Sequence, residues 1–279
     1  AWLLNSYPAE WMAAFLDKEP ETRKEKAIHT AKKFGFNIEP LNINTSGTVW
    51  EISSDGQTLI QPLTSIKGLG EAAIAQVLDN RPFETIEDFI FNEGIVYSKL
   101  NKKGLDALIR AQALNVLMDD RFENLKHFWA SVAVERPKNP KKLGENIELF
   151  AKEPEFTQEE KIQYLVDLTG VFPMDLVISD SVREKLDENY IPPLGDYDPE
   201  LQVTWFIPRK VTKKKTKNGA NYLVIEVIDS TSTVTKIKCW GVKAGDGVQI
   251  NRPYMARLDH DEQWGFSTRS IRHNFRLLG

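Results

Sequence analysis

Cysteine is nearly absent from this chain: of its 279 residues only Cys239 is one. An internal disulfide framework is therefore excluded, and the chain fits a reducing compartment. The four histidines, His29, His127, His260 and His273, stand far apart, and none has a Cys or His neighbour at zinc-finger spacing. No apolar run approaches the roughly 20 residues that a membrane helix requires, and no signal peptide is visible. The chain also lacks a strong charge of either sign, since 36 basic residues against 40 acidic ones leave a net charge of −4. Any nucleic-acid contact must then come from local patches. No Walker loop, nucleophile elbow or His-Glu-x-x-His motif occurs, and no catalytic constellation appears. Asp119 and Asp120 are adjacent, diverge if helical, and read as solvated or capping. Asp259, His260, Asp261 and Glu262 read as a polar turn, with a weak metal site as the minor alternative.

The most informative stretch that is present runs from Thr64 to Asp79. Gly68 and Gly70 flank Leu69 at the mouth of an amphipathic segment. Both glycines can take φ > 0 and admit a phosphate close to the backbone. A helix from Glu71 would aim its free N–H groups and positive dipole end at that phosphate, with Lys67 adding a full charge. Ile74, Val77 and Leu78 would bury its other face. Two readings are open to this stretch: a helix-hairpin-helix that grips the DNA backbone without reading bases, or an ordinary tight turn between packed helices.

The length suggests two or more domains. Pro8 favours a helix through Trp11, Met12, Phe15 and Leu16, and a second follows Pro20 and stops at Gly35. Extended chain over 37–43 leads to a small β-hairpin, Thr48–Ile52 with Thr58–Gln61. Thr85 caps a short helix, and Lys102–Leu114 and Arg121–Val132 read as two more. Composition then shifts: the charged run 135–142 carries Pro137 and Pro140 and reads as a linker. Thr157–Glu160 is a capping-box start for a helix with Ile162, Leu165, Val166 and Leu168. Pro192, Pro193 and Gly195 mark a further boundary. Beyond them lie five β-candidates, Val203–Val211, Asn221–Ile228, Val234–Trp240, Val248–Arg257 and Gln263–Ile271, the first two joined by an Asn218-Gly219 turn. The fold class expected is α+β and multidomain, with a helical region followed by a five-stranded OB-type barrel. The expected divisions are 1–44, 45–134, 135–156, 157–198 and 199–279.

Arg209, Lys210, Lys213, Lys214, Lys215 and Lys217 put six cations on the first of these strands and the loop after it. Trp205, Phe206, Tyr222, Trp240, Trp264 and Phe266 lie on neighbouring strands, where alternation must bury some. Aromatics beside a basic groove suit single strands, because bases stack and phosphates pair with lysine; of these, Tyr222 and Trp240 are the candidate stacking residues. The alternative is a solvated loop over an all-core set of rings. The apolar island Ile147-Glu148-Leu149-Phe150 also has two readings. It is a helix end folded on its neighbour, or a short peptide that drops Leu149 and Phe150 into a partner's pocket.

Several blocks resemble the C-terminal part of the bacterial C-family replicative DNA polymerases, the polymerase III alpha subunits. Tyr7-Pro8-Ala9-Glu10-Trp11 is similar to the family's helix at the end of the fingers. Pro40-Leu41-Asn42-Ile43-Asn44 is similar to its Pro-x-x-Asn connection, and Ile66-Lys67-Gly68-Leu69-Gly70 to its hairpin. Leu105–Leu114 resembles its Leu-Glu-Ala-Leu-Ile-x-Ala-Gly-Ala-Phe helix, with Gln112 where glycine is usual. Leu165–Pro173 resembles its Tyr-Leu-Thr-Gly-His-Pro stretch, with Val171-Phe172 in place of histidine.

The resemblance implies DNA-templated DNA synthesis in a parent protein, with duplex and single-stranded DNA and the rest of the polymerase as partners. It implies a bacterial cytoplasm, whether host- or phage-encoded, and no membrane partner. It also implies a sliding clamp as partner, since the family's clamp-binding Gln-x-x-Leu/Met-Phe peptide falls where Asn146-Ile147-Glu148-Leu149-Phe150 stands, with the shorter Asn146 replacing glutamine. The family's catalytic carboxylates and their Mg2+ belong to a palm domain preceding these blocks, so no cofactor is expected in this segment. A chain opening at Ala1 and running straight into apolar sequence is expected of a piece of something longer. Two rival functions stay open: a replisome protein-interaction module without DNA contact, and a free-standing OB protein that binds single-stranded nucleic acid.

Overall fold

A computed structural model describes residues 2–231, 234–243 and 245–278; Ala1, where the chain opens, lies outside them. The chain divides into two compact units, Ala1–Phe172 and Pro173–Gly279. The division falls inside the stretch 157–198 that was expected as one connector.

The first unit opens with α1 (Trp2–Ser6), α2 (Pro8–Lys18) and α3 (Glu21–Lys33). Pro8 stands in the first turn of α2, where a missing N–H costs nothing. Met12 and Leu16 of α2 and Ala27, Ile28 and Ala31 of α3 are buried with Trp50 and Leu59. Leu59 belongs to a three-stranded sheet of β1 (Asn37–Glu39), β2 (Glu51–Ile52) and β3 (Thr58–Ile60). β2 and β3 form the expected hairpin, and β1 adds to β3 in parallel.

A larger core holds the remainder of this unit together. It takes Leu63, Leu69, Ile74 and Val77 from the hairpin region and Phe83, Phe89, Leu105, Leu108, Phe128, Leu143 and Phe156 from the elements that follow. Those elements are α4 (Glu71–Asn80), α5 (Ile86–Ile90), α6 (Lys102–Arg110), α7 (Leu125–Trp129), α8 (Pro140–Phe150) and α9 (Gln158–Thr169). α5 and α9 both begin with capping boxes, at Thr85 with Asp88 and at Thr157 with Glu160. The helix expected over Arg121–Val132 starts later, at Leu125, because Asn124 caps it through the N–H of His127. It then widens into a π-helical turn over Ala130–Val134.

The stretch read as a linker is only partly open. Asn139 accepts from the Lys142 N–H and Pro140 occupies the first turn, so Pro140–Phe150 folds as α8.

The second unit begins with α10 (Met174–Val177) and α11 (Asp180–Glu188) and continues into β4 (Val203–Lys215), β5 (Asn221–Ile228), β6 (Thr235–Cys239), β7 (Tyr254–Arg257), β8 (Asp259–Asp261), β9 (Gly265–Thr268), α12 (Ile271–Asn274) and β10 (Phe275–Leu277). Where five strands were expected, the strands form one curled seven-stranded sheet, ordered β10-β7-β4-β5-β6-β9-β8. β4 serves both halves, pairing β7 over Val203–Phe206 and β5 from Ile207 onward, with a bulge between Pro208 and Lys210. The segment 259–262 is not simply a turn, since Asp259–Asp261 pairs with β9. Phe206, Leu223, Ile225, Val227, Ile237, Cys239, Ala256 and Leu258 are buried together on the inner side.

Candidate nucleic-acid interface

The hairpin is built around one left-handed residue. A single 3-10 turn, Leu63–Ser65, leads into Ile66, and Gly68 takes φ +87°. That conformation favours glycine. Gly70 does not share it: at φ −76° and ψ 150° it is the N-cap of α4, which corrects the expectation that both glycines use positive φ. A β-carbon on Gly70 would meet nothing within 4 Å, so its bareness is presented outward.

Leu69 is buried while Lys67, Gly68 and Gly70 are exposed. The Lys67 backbone N–H donates to the Leu168 carbonyl at 2.7 Å, and the residue is exposed. The N–H groups of Gly68, Gly70, Glu71 and Ala72 find no acceptor among the described residues. Unpaired donors at the start of a ten-residue helix present partial positive charge to an anion. The N-terminus of α6 lies alongside. Asn101 caps it through the Gly104 N–H, and Lys103 Cε lies 3.6 Å from where a β-carbon on Gly68 would be. Lys102 and Lys103, both exposed, escaped the sequence reading; the signal that could have found them is the Asn101 cap directly before a lysine pair.

In the second unit the basic run is strand, not loop. Lys213, Lys214 and Lys215 pair with Leu223, Tyr222 and Asn221, so successive lysines point to opposite faces. Only Lys217 lies in the turn, which is closed by Thr216 and Ala220 with Gly219 at φ +81°. One outer row places Lys214 opposite Tyr222, whose ring stacks on Trp240 at 4.7 Å between centroids and 28° between planes. A second row places Thr212, Val224, Lys238 and Ser267 side by side. A third has Glu226 between Lys210 and Lys236. Lys238 Nζ sits 5.3 Å from the Trp264 ring centroid and donates to the Trp264 carbonyl at 3.0 Å. Trp264 is 66% exposed. Tyr222, Trp240, Lys214 and Lys210 therefore share a face with Lys236, Lys238 and Val224, while Lys213 and Lys215 fall on the opposite side. Arg209 is half-buried beside the bulge. Trp205 and Phe206 are core residues, and Phe266 packs edge-on against Tyr197 at 5.0 Å.

The peptide Asn146–Phe150 is the last part of α8. Asn146 is fully buried and its Nδ2 donates to the Ser131 and Glu135 carbonyls, both at 3.0 Å. Glu148 is exposed, Ile147 and Phe150 are half-buried, and Leu149 is 68% exposed. Among the described residues no three His, Cys, Asp or Glu side chains gather as a metal donor set. Asp119 spends both oxygens on Arg121. No helix of the described residues is long and apolar enough to cross a membrane.

Residues 35–125, which contain the hairpin and α6, match the family described as the helix-hairpin-helix motif. The chain is similar to the DNA polymerase III subunit alpha of Aquifex aeolicus, at 28% identity over 281 aligned positions covering 94% of the chain and 23% of that relative. It is similar to the DNA polymerase III subunit alpha of Chlamydia pneumoniae at 25% identity, covering 82% of the chain and 20% of the relative. With the protein of the same name from Pseudomonas aeruginosa it shares 31% identity over 142 positions, 49% of the chain and 12% of the relative. The chain thus spans less than a quarter of the length of each of these relatives.

Proposed function

We propose that this chain is the DNA-holding and clamp-docking C-terminal portion of a C-family replicative polymerase, working in a parent protein that carries the nucleotidyl-transfer chemistry elsewhere. The observation that carries the reading is the hairpin: four unpartnered N–H groups, flanked by Lys67 and Lys103, inside the stretch that matches the helix-hairpin-helix motif. Such a site holds phosphates by backbone donors and charge, without reading bases. It grips duplex wherever the duplex lies.

The outer face of the curled sheet supplies a different contact and acts as the OB-type surface. Its lysines neutralise phosphates while Trp264 and the Tyr222–Trp240 stack offer ring faces to bases. This is the handling surface for single-stranded template. The end of α8, with Leu149 outward, is the segment that tethers a sliding clamp, which raises processivity through effective concentration.

The test is anisotropy of labelled single-stranded and duplex oligonucleotides at about 50 and about 200 mM salt, a range over which several phosphate contacts change affinity by orders of magnitude. Salt-sensitive binding to both forms is expected. Absence of binding at the lower salt would overturn the DNA-holding reading and leave a protein-docking module. For the tether, replacing Leu149 and Phe150 together by alanine should abolish capture by a bacterial sliding clamp, and unchanged capture would remove that assignment.

A further inference from the structure

The geometry of α8 bears on how the proposed clamp tether is used, and the inference rests on that docking reading. In the helix, Asn146, Leu149 and Phe150 stand at i, i+3 and i+4, which places them on neighbouring parts of one surface. Yet Asn146 is wholly buried while Leu149 is 68% exposed. The Asn146 amide is committed inward, to the Ser131 and Glu135 carbonyls that the π-helical turn leaves available. The next residue is held as well: the Ile147 carbonyl accepts from His127 Nε2 at 2.9 Å, while His127 Nδ1 accepts from the Glu123 N–H at 3.0 Å. These two bonds fix the ring as the neutral Nε2–H tautomer, with one nitrogen for each neighbour.

We infer that Asn146 is an internal latch rather than a docking contact, and that the peptide is held closed until the last turn of α8 opens. Leu149 is the part presented beforehand. Full seating of Leu149 with Phe150 requires the chain to leave the helix, which breaks the Asn146 bonds to Ser131 and Glu135 and the His127 bond to Ile147. The apparent affinity for a clamp is then the intrinsic affinity reduced by the open fraction. This assigns a reason to the departure at the peptide's first position: the Nδ2 of the side chain there reaches both carbonyls beside the π-helical turn, while its Oδ1 is buried without a partner among the described residues.

Opposite signs separate this from the alternative. Asn146→Ala removes the latch and is expected to tighten binding of a purified bacterial sliding clamp by about tenfold, since breaking hydrogen bonds of this kind shifts such an equilibrium by that order. Were Asn146 a contact in the clamp pocket, the same change would weaken binding. His127→Phe keeps a ring of similar shape while deleting the bond to Ile147, and it should tighten binding several-fold without touching the peptide. Hydrogen exchange at 147–150 should be protected in the free chain and lose that protection on clamp binding. Weaker or unchanged binding in both variants, with the Leu149→Ala, Phe150→Ala pair still abolishing it, would overturn the latch and leave docking intact. Binding unaffected by the alanine pair would overturn docking and the latch together.

Discussion

Leu69 closes over the bare backbone of Gly104. A β-carbon on Gly104 would lie 3.5 Å from Leu69 Cδ1 and 3.1 Å from Leu100 Cδ1. This contact brings the hairpin and the N-terminus of α6 together, and with them Lys67 and Lys103. Gly104→Val should therefore overpack the contact and cost about 1–3 kcal/mol of stability. It should also weaken duplex binding by parting the two sets of donors. Urea unfolding and duplex anisotropy read the two effects. A destabilised variant that still binds duplex at full strength would show that α6 takes no part in the grip.

The lysines of β4 should differ in their effect on single-strand binding, because neighbours on a strand face opposite ways. Lys214 shares its face with Tyr222, Trp240 and Lys238, and Lys213 does not. Lys214→Glu and Lys238→Glu should each weaken single-strand binding and flatten its salt slope by at least the ~0.7 expected for one phosphate contact. Lys213→Glu should change both far less. Equal effects at Lys213 and Lys214 would mean that diffuse charge, not this face, does the binding.

The contrast between those lysines was not legible in the sequence. A run of lysines has no apolar alternation, so the strand was expected to end at Val211, and only pairing with β5 carries it to Lys215. α8 was hidden for a similar reason: two prolines and a charge run read as open chain, although Asn139-Pro140 is a helix start when Asn139 caps. Strands β8 and β10 have three residues each, too short for a period-two pattern to register. What was legible had local chemistry behind it. The capping boxes at Thr85 and Thr157, the Pro8 helix start and the positive φ of Gly68 each follow from a few adjacent residues. Lys102 and Lys103 sit directly after the Asn101 cap, a local signal, whereas Lys236 and Lys238 needed tertiary placement to join a site, and no spacing rule reveals that.

Gln112 occupies a position that glycine would fill better. It takes φ +65° just past the end of α6. The Ala113 N–H reaches the Leu108 carbonyl and the Gln112 N–H the Ile109 carbonyl, both at 2.9 Å. This is the Schellman arrangement, whose left-handed residue is usually glycine. A β-carbon there costs about 1–2 kcal/mol. Gln112→Gly should accordingly raise stability by roughly 1 kcal/mol, less the extra entropy glycine gives the unfolded chain. A rise in Tm with unchanged DNA binding is expected; a fall would mean that the weak Asn115–Gln112 side-chain contact at 3.4 Å outweighs the backbone strain.

Arg121 ties Glu87 to Asp119, at 2.6 Å from Glu87 Oε1 and 2.6 Å from Asp119 Oδ2. Its hydrogen bonds hold both carboxyls below their ordinary values of 4.5 and 3.8. For groups depressed in the folded state, the stabilisation is fully present above the ordinary values and disappears as pH falls through the lowered ones. The three side chains are part-exposed, so solvent screening limits the network to about 1 kcal/mol. Arg121→Gln should be less stable than the parent by about that amount at pH 7. The gap should narrow once pH drops below the ordinary carboxyl values and close when both groups are protonated. Urea midpoints across the acid range test this directly. A gap that persists in acid would assign the loss to packing of the guanidinium 5.8 Å from the Phe122 ring centroid, where charge on the carboxylates plays no part.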